Sequence, residues 1–245
     1  IGDIVLGYSY DSPFDPANTP PAMKALLAGY AEYIENFERS ENSEYSENSN
    51  SLQKAARKDI APLVQTRWNQ FAPYNNNCPT VNGSRCVTGC VATAVAQVMK
   101  YHNWPDRGVG SYTHVFETAG GETITTSADF GNTTYDWAHM TNTYGSNSTA
   151  QENAAVAVLM HHCGVMSHMN YSPGESGTND FIAGQGLLKY LKYDRGMRYL
   201  RKSWFTEDEW EEVLYEQMEA GQPVVLGGET NVGHHELVVD GYRQS

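Results

Sequence analysis

The chain has 245 residues, 40% of them apolar, with 22 glycines and 16 tyrosines, which suits one large domain or one domain with a substantial extra segment. Its 16 basic and 29 acidic residues leave a net charge of −13, which argues against nucleic acid and anionic membranes as partners. No run approaches the roughly 18 apolar residues of a membrane span, and Cys78, Cys86, Cys90 and Cys163 match no common zinc spacing, so no metal or other cofactor is expected.

The chain opens on a short strand at 3–8 and a proline-punctuated loop. A helix follows from Pro21, with apolar positions 23, 26, 27, 30, 34 and 37 at helical spacing. From 38 to 53 the sequence is rich in Ser, Asn and Glu with little apolar content, as in a solvated, protease-accessible tether. A basic cluster, Lys54-Ala55-Ala56-Arg57-Lys58, closes it, and 38–58 reads as a boundary between two parts of the chain. The first residue is not Met and no signal peptide opens the chain, so a processed or trimmed polypeptide is expected. Cys78 and Cys86 are near enough in sequence to close a small disulfide loop, and the sequence does not fix whether they do.

The run from Thr88 to Met99 carries almost no charge and is apolar nearly all round, as in a helix buried inside a domain. Thr88 reads as its N-cap and Gly89 as a point of close approach, which puts Cys90 at the helix mouth. There the unpaired amides and the macrodipole favour the thiolate, the form of cysteine that acts as a nucleophile. The helix should end near 102–105, where Pro105 stops it.

Beyond it, 109–116 and 123–126 read as strands, about 151–163 as a helix, 173–177 as a loop and 180–193 as a further helix. Thr206 to Glu209 is a capping box for a helix to about Ala220. Residues 222–227 and 236–240 are strand-like, with Gly233-His234-His235 in the turn between them. Helices early and strands late indicate an α+β fold.

A cysteine nucleophile needs a base within hydrogen-bond reach. His102 lies at the far end of the nucleophile's own helix, and His114, His139, His161, His162 and His168 have contexts that suit core or surface roles. His234 and His235 differ, because they follow a glycine at the start of a strand that can hold an imidazole at a cleft edge.

Thr88-Gly89-Cys90-Val91-Ala92-Thr93-Ala94, continuing to Tyr101-His102-Asn103-Trp104-Pro105, resembles the nucleophile segment of the streptopain family, secreted bacterial cysteine peptidases of papain-like fold. Gly233-His234-His235-Glu236-Leu237-Val238-Val239-Asp240-Gly241 is similar to that family's histidine segment. Tyr135-Asp136-Trp137, the Pro173–Gly177 loop and the early Val5-Leu6-Gly7-Tyr8-Ser9 extend the resemblance over most of the chain. It implies a helical subdomain, with the nucleophile helix, packed against an antiparallel sheet or barrel subdomain. It also implies a division into 1–58, the end of a pro-segment with its activation linker, and 59–245, the peptidase domain. Lys54, Arg57 and Lys58 are then candidate cut sites.

Carried over by position, Cys90 is the nucleophile and His235, five residues before Asp240-Gly241, the general base. His234 falls where the family has a glycine whose backbone meets substrate, and Glu236 where it has a small residue. Ser176 is a candidate substrate contact on the cleft wall. The family's oxyanion glutamine is sought at Gly83-Ser84-Arg85, which has none. Past Asp-Gly the family continues to an Asn-Trp-Gly-Trp segment that orients the base, and the sequence stops before it, at Ser245. The resemblance implies a zymogen of a secreted or cell-surface endopeptidase, with protein substrates, its own pro-segment as a partner and an apolar residue preferred one place upstream of the residue at the cut. Two other readings fit the same residues: a catalytically impaired binding or latency module of this fold, and another cysteine acyl-transfer enzyme.

Overall fold

Helix α1 (Cys90–His102) runs through the protein's interior with eight of its thirteen residues buried, because Ala, Val and Met leave it no polar face to turn outward. This computed structural model describes residues 57–230 and 233–244; the expected strand at 3–8, the helix from Pro21 and the tether at 38–53 lie outside them. The described residues belong to one unit, Ala56–Ser245.

The N-cap of α1 is Gly89, not Thr88 as the sequence suggested. The Thr88 side chain is fully buried and turned to Thr93, 2.8 Å between hydroxyls, while Thr93 Oγ1 donates to the Gly89 carbonyl. The hydroxyl pair thus ties the turn before the helix from inside. The other end follows expectation: Asn103 takes a left-handed cap conformation and Pro105 lies just beyond.

Helix α2 (Ala150–Met166) is the second buried helix, opened by a complete capping box between Thr149 and Glu152. It runs past the expected end at Cys163 because Val165 and Met166 also face the core, and Cys163 packs its sulfur 3.6 Å from that of Met99 in α1. Helix α3 (Asp180–Tyr190) is capped by Asn179 and ends three residues short of the expected Tyr193. Helix α4 (Glu207–Glu219) has the Thr206–Glu209 capping box that its sequence announces.

The strands form three two-stranded antiparallel ladders among the described residues. Strands β1 (Thr80–Val81) and β2 (Ser84–Arg85) make a small hairpin around Asn82-Gly83, and buried Cys78 and Cys86 flank it as free thiols. Strands β3 (Ser111–Glu117) and β4 (Thr123–Asp129) pair over seven residues. Strands β5 (Val224–Thr230) and β6 (Gly233–Val239) pair from Val224↔Val239 to Thr230↔Gly233. Gly233, His234 and His235 are therefore strand residues rather than the expected turn. The ladder runs to Thr230↔Gly233, so only two residues are left for the connection. Helices with antiparallel ladders make the fold α+β.

A strap over residues 57–70 ties these elements together. Ile60 exchanges backbone hydrogen bonds with Tyr242, Leu63 N donates to the Asp240 carbonyl, and Val64 N donates to Asp240 Oδ2 at 3.0 Å. Farther on, Thr66 Oγ1 donates to Gln97 Oε1 of α1, and the Gln70 carbonyl accepts from Thr88 N. The strap starts firmly: Arg57 has a side chain only 6% exposed, paired at 2.5 Å with both Glu211 and Glu212 of α4 and lying over the rings of Tyr215 and Tyr242. Arg57 and Lys58, expected in the tether as cut sites, belong to this folded part, and Lys58 N donates to the Tyr215 hydroxyl.

Candidate active site

Cys90 stands at the first turn of α1, half-buried, directly after a residue that only glycine can fill. Gly89 has φ 87° and ψ 144°, a conformation open essentially to glycine alone. A Cβ there would also lie 2.6 Å from Met169 Cε and 3.0 Å from the Ser176 carbonyl oxygen. The Pro173–Gly177 loop therefore abuts the nucleophile turn.

The loop is held by the residue proposed as a substrate contact. Ser176 is buried, its hydroxyl lies 2.7 Å from the Val87 carbonyl and 3.1 Å from that of Ser172, and it accepts from Ser172 N at 2.9 Å. Its polar atoms are engaged with the backbone, which makes Ser176 a fastening of the wall. Beside the wall is an open cavity of about 600 Å³ lined by His114, His168, Asn170, Gly177, Thr178 and Ile182. The His114 and His168 rings stack at 5.3 Å, and burial holds both below the ordinary histidine pKa.

The other cysteines are more deeply buried than Cys90. Burial pushes the Cys78 thiol up to about 12 and raises those of Cys86 and Cys163, so all three are inert packing groups. Most other histidines also have structural partners. His162 is bonded to the Tyr135 hydroxyl, His139 to Asp136 and His161 to the Ser127 carbonyl.

His234 and His235 lie on β6 opposite Glu229 and Gly228. Alternation puts His234 and Glu236 on the face of the ladder that also carries Gly227 and Val225, the latter packed on the core. His235 falls on the other face with Leu237, and both are exposed. Among the described residues no hydrogen bond joins Cys90 to His235.

On the first face the Glu236 side chain is 1% exposed, and its Oε2 has no hydrogen-bond partner among the described residues. His234 Nε2 is 3.8 Å from it. Burial, and then the charge of Asp180 at the start of α3, push this carboxyl up to about 7.

Sequence reasoning passed over Gln70, whose backbone reaches the nucleophile turn. The region searched for a glutamine, Gly83 to Arg85, lies in the β1–β2 hairpin, where the Arg85 side chain donates to the Cys78 carbonyl. Gln70 instead has its backbone bonded to Thr88, two residues before the nucleophile, at 3.2 Å. Two residues before Gln70, Trp68 is buried and its backbone amide donates to Gln97 Oε1 of α1.

A family model described as Peptidase C10 matches residues 68–245. The chain is 26% identical over 248 residues to the thiol protease/hemagglutinin PrtT of Porphyromonas gingivalis and 27% identical over 250 residues to streptopain of Streptococcus pyogenes. Each match takes in 97% of this chain, but the chain spans only 28% of the first relative and 62% of the second. The solved structure of active interpain A, a cysteine protease of Prevotella intermedia, is 38% identical with a TM-score of 0.70, covering 75% of this chain and 77% of that one. A prointerpain A fragment from the same organism gives 37% and 0.71 over 91% of this chain and 70% of its own. With the fold of those proteases and a family match over most of its length, the chain belongs to the Peptidase C10 family of cysteine peptidases.

Proposed function

We propose that this protein is a cysteine endopeptidase acting outside the bacterial cell, made as a zymogen whose leading residues 1–58 include part of a pro-segment. The observation that carries the reading is Cys90 at the mouth of a buried helix, fixed by a glycine turn and a pinned wall, in a Peptidase C10 chain.

The reaction is acyl transfer to sulfur and then to water. The Cys90 thiolate attacks the peptide carbonyl. The Cys90 amide and the side chain of Gln70 supply the donors for the oxyanion. The His235 imidazolium protonates the leaving amine as the C–N bond breaks, then takes a proton from the water that attacks the thioester and returns the free thiolate. Protein substrates lie along the wall formed by the Pro173–Gly177 loop, and the pro-segment is the protein's own partner before activation. An apolar side chain is preferred one place upstream of the residue at the cut.

Casein hydrolysis by single variants tests this reading. Cys90→Ala and His235→Ala should each lower the rate by at least about 10³-fold. Gln70→Ala should lower it by roughly 10²–10³-fold. Full activity in Cys90→Ala sinks the reading. Loss in His234→Ala with His235→Ala still active moves the base to the other face of β6.

A further inference from the structure

The net charge of −13 conceals one strongly basic stretch. Six of the chain's 16 basic residues, Lys189, Lys192, Arg195, Arg198, Arg201 and Lys202, follow one another with a single acid, Asp194, among them. All six are exposed. The first five recur at every third position, so successive members stand no more than about 11 Å apart along the chain. Asp194 is engaged in its own turn, where its Oδ1 accepts from Gly196 N at 2.6 Å.

Two of the six have ordinary structural roles. Lys189 lies in the last turn of α3, where a cation suits the helix dipole, and sits 5.0 Å from the centre of the Tyr190 ring. Lys202 pairs with Glu207 at 2.9 Å. Lys192, Arg195, Arg198 and Arg201 have no ion pair among the described residues. Unpaired cations so close together repel one another, although the chain has 29 acidic residues with which to neutralise them. The run also has an exposed tryptophan near each end. Trp104, 46% exposed, donates through Nε1 to the Lys192 carbonyl at 3.3 Å, and Trp204, 54% exposed, closes the short helical turn that Lys202 begins.

These groups fit a particular kind of anion. A guanidinium fork holds sulfate oxygens in two parallel hydrogen bonds, and an exposed indole offers a flat apolar face to the C–H side of a sugar ring. A broad anionic membrane would meet the whole protein and be repelled by its net charge. A thin chain can lie along the run alone, because charges beyond about 8–10 Å are screened at physiological salt. Resting on the extracellular setting of the proposed peptidase, we infer that the segment from Lys189 to Lys202, with Trp104 and Trp204, is a docking strip for a linear sulfated polysaccharide. The strip tethers the peptidase to such a polymer and leaves the Cys90 cleft to the protein substrate.

The test is calorimetric binding of heparin to the full chain carrying Cys90→Ala, so that affinity is read without hydrolysis and fails or stands separately from the peptidase reading. Heparin should bind, more weakly as salt is added, and the combined change Arg195→Gln, Arg198→Gln and Arg201→Gln should weaken it by at least about tenfold. Arg67→Gln with Arg243→Gln, exposed cations outside the run, should leave the affinity unchanged. Both variants should keep the denaturation midpoint, so that lost affinity is not lost fold. Heparin stripped of its sulfate should lose most of the binding. No binding, or binding that the triple variant or the desulfated polymer keeps in full, overturns the inference. Tighter binding to single-stranded DNA or to vesicles of anionic phospholipid overturns it as well.

Discussion

His162 in α2 is 6% exposed, with Nδ1 3.0 Å from the Tyr135 hydroxyl and its ring centroid 5.1 Å from that of Phe130 in an edge-on contact. Burial, and then the charge of His161, push its pKa down to about 4. The unfolded chain takes up this proton near 6.5 and the folded one near 4, so the unfolded state binds more protons in between. Stability is therefore complete above pH 6.5 and falls as the pH drops toward 4, by roughly 2–3 kcal/mol for this group. His114, His161 and His168 are lowered too and add to the slope. Urea midpoints measured from pH 7 to 4 should show the loss, and His162→Gln, which can still accept from Tyr135, should flatten part of it. At this scale the sequence was uneven as a guide. Cys90 was legible because a helix mouth is a local pattern, whereas Gln70 reaches the site only through a backbone bond to Thr88. The burial of Glu236 is likewise a tertiary fact, since its charge alone argues for the surface.

Among the elements, α1 matters most through the turn before it. Gly89→Ala puts a side chain into a backbone conformation reserved for glycine and against the Ser176 carbonyl, so it should cost about 1–3 kcal/mol. Because the Cys90 amide follows directly, casein hydrolysis should fall alongside the denaturation midpoint, and an unchanged rate at lowered stability would detach the turn from catalysis. The helices with complete capping boxes, α2 and α4, were legible at their starts because Thr149 with Glu152 and Thr206 with Glu209 satisfy the first amides locally. Their ends were less so: α2 continues to Met166 because the core receives Val165 and Met166. The cap of α1 was misplaced by one residue because Thr88 finds its partner in Thr93, inside the helix, rather than in the first amides. The β6 start was misread because glycine before two histidines looks like a turn, while the pairing with β5 extends to Gly233.

At the scale of the whole molecule, Arg57 anchors one end of the strap through two carboxylates of α4 and two tyrosine rings. Arg57→Ala should lower the midpoint in denaturant titrations, and Arg57→Lys should restore only part of it, since one ammonium cannot reproduce the guanidinium fork. The α+β class was legible from the order of helices and strands. The strap was not, because its bonds join residues such as Leu63 and Asp240 that lie far apart in the chain. One consequence of that strap concerns length. It is fastened to the residue just after β6 at Leu63 and Val64, and to α1 and the turn before it at Thr66, Trp68 and Gln70. The few residues between act as a gauge that sets the separation of β6 from α1. Side chains along the span can change without altering that separation, but one residue added or removed shifts it by about 3 Å, roughly the whole length of a hydrogen bond.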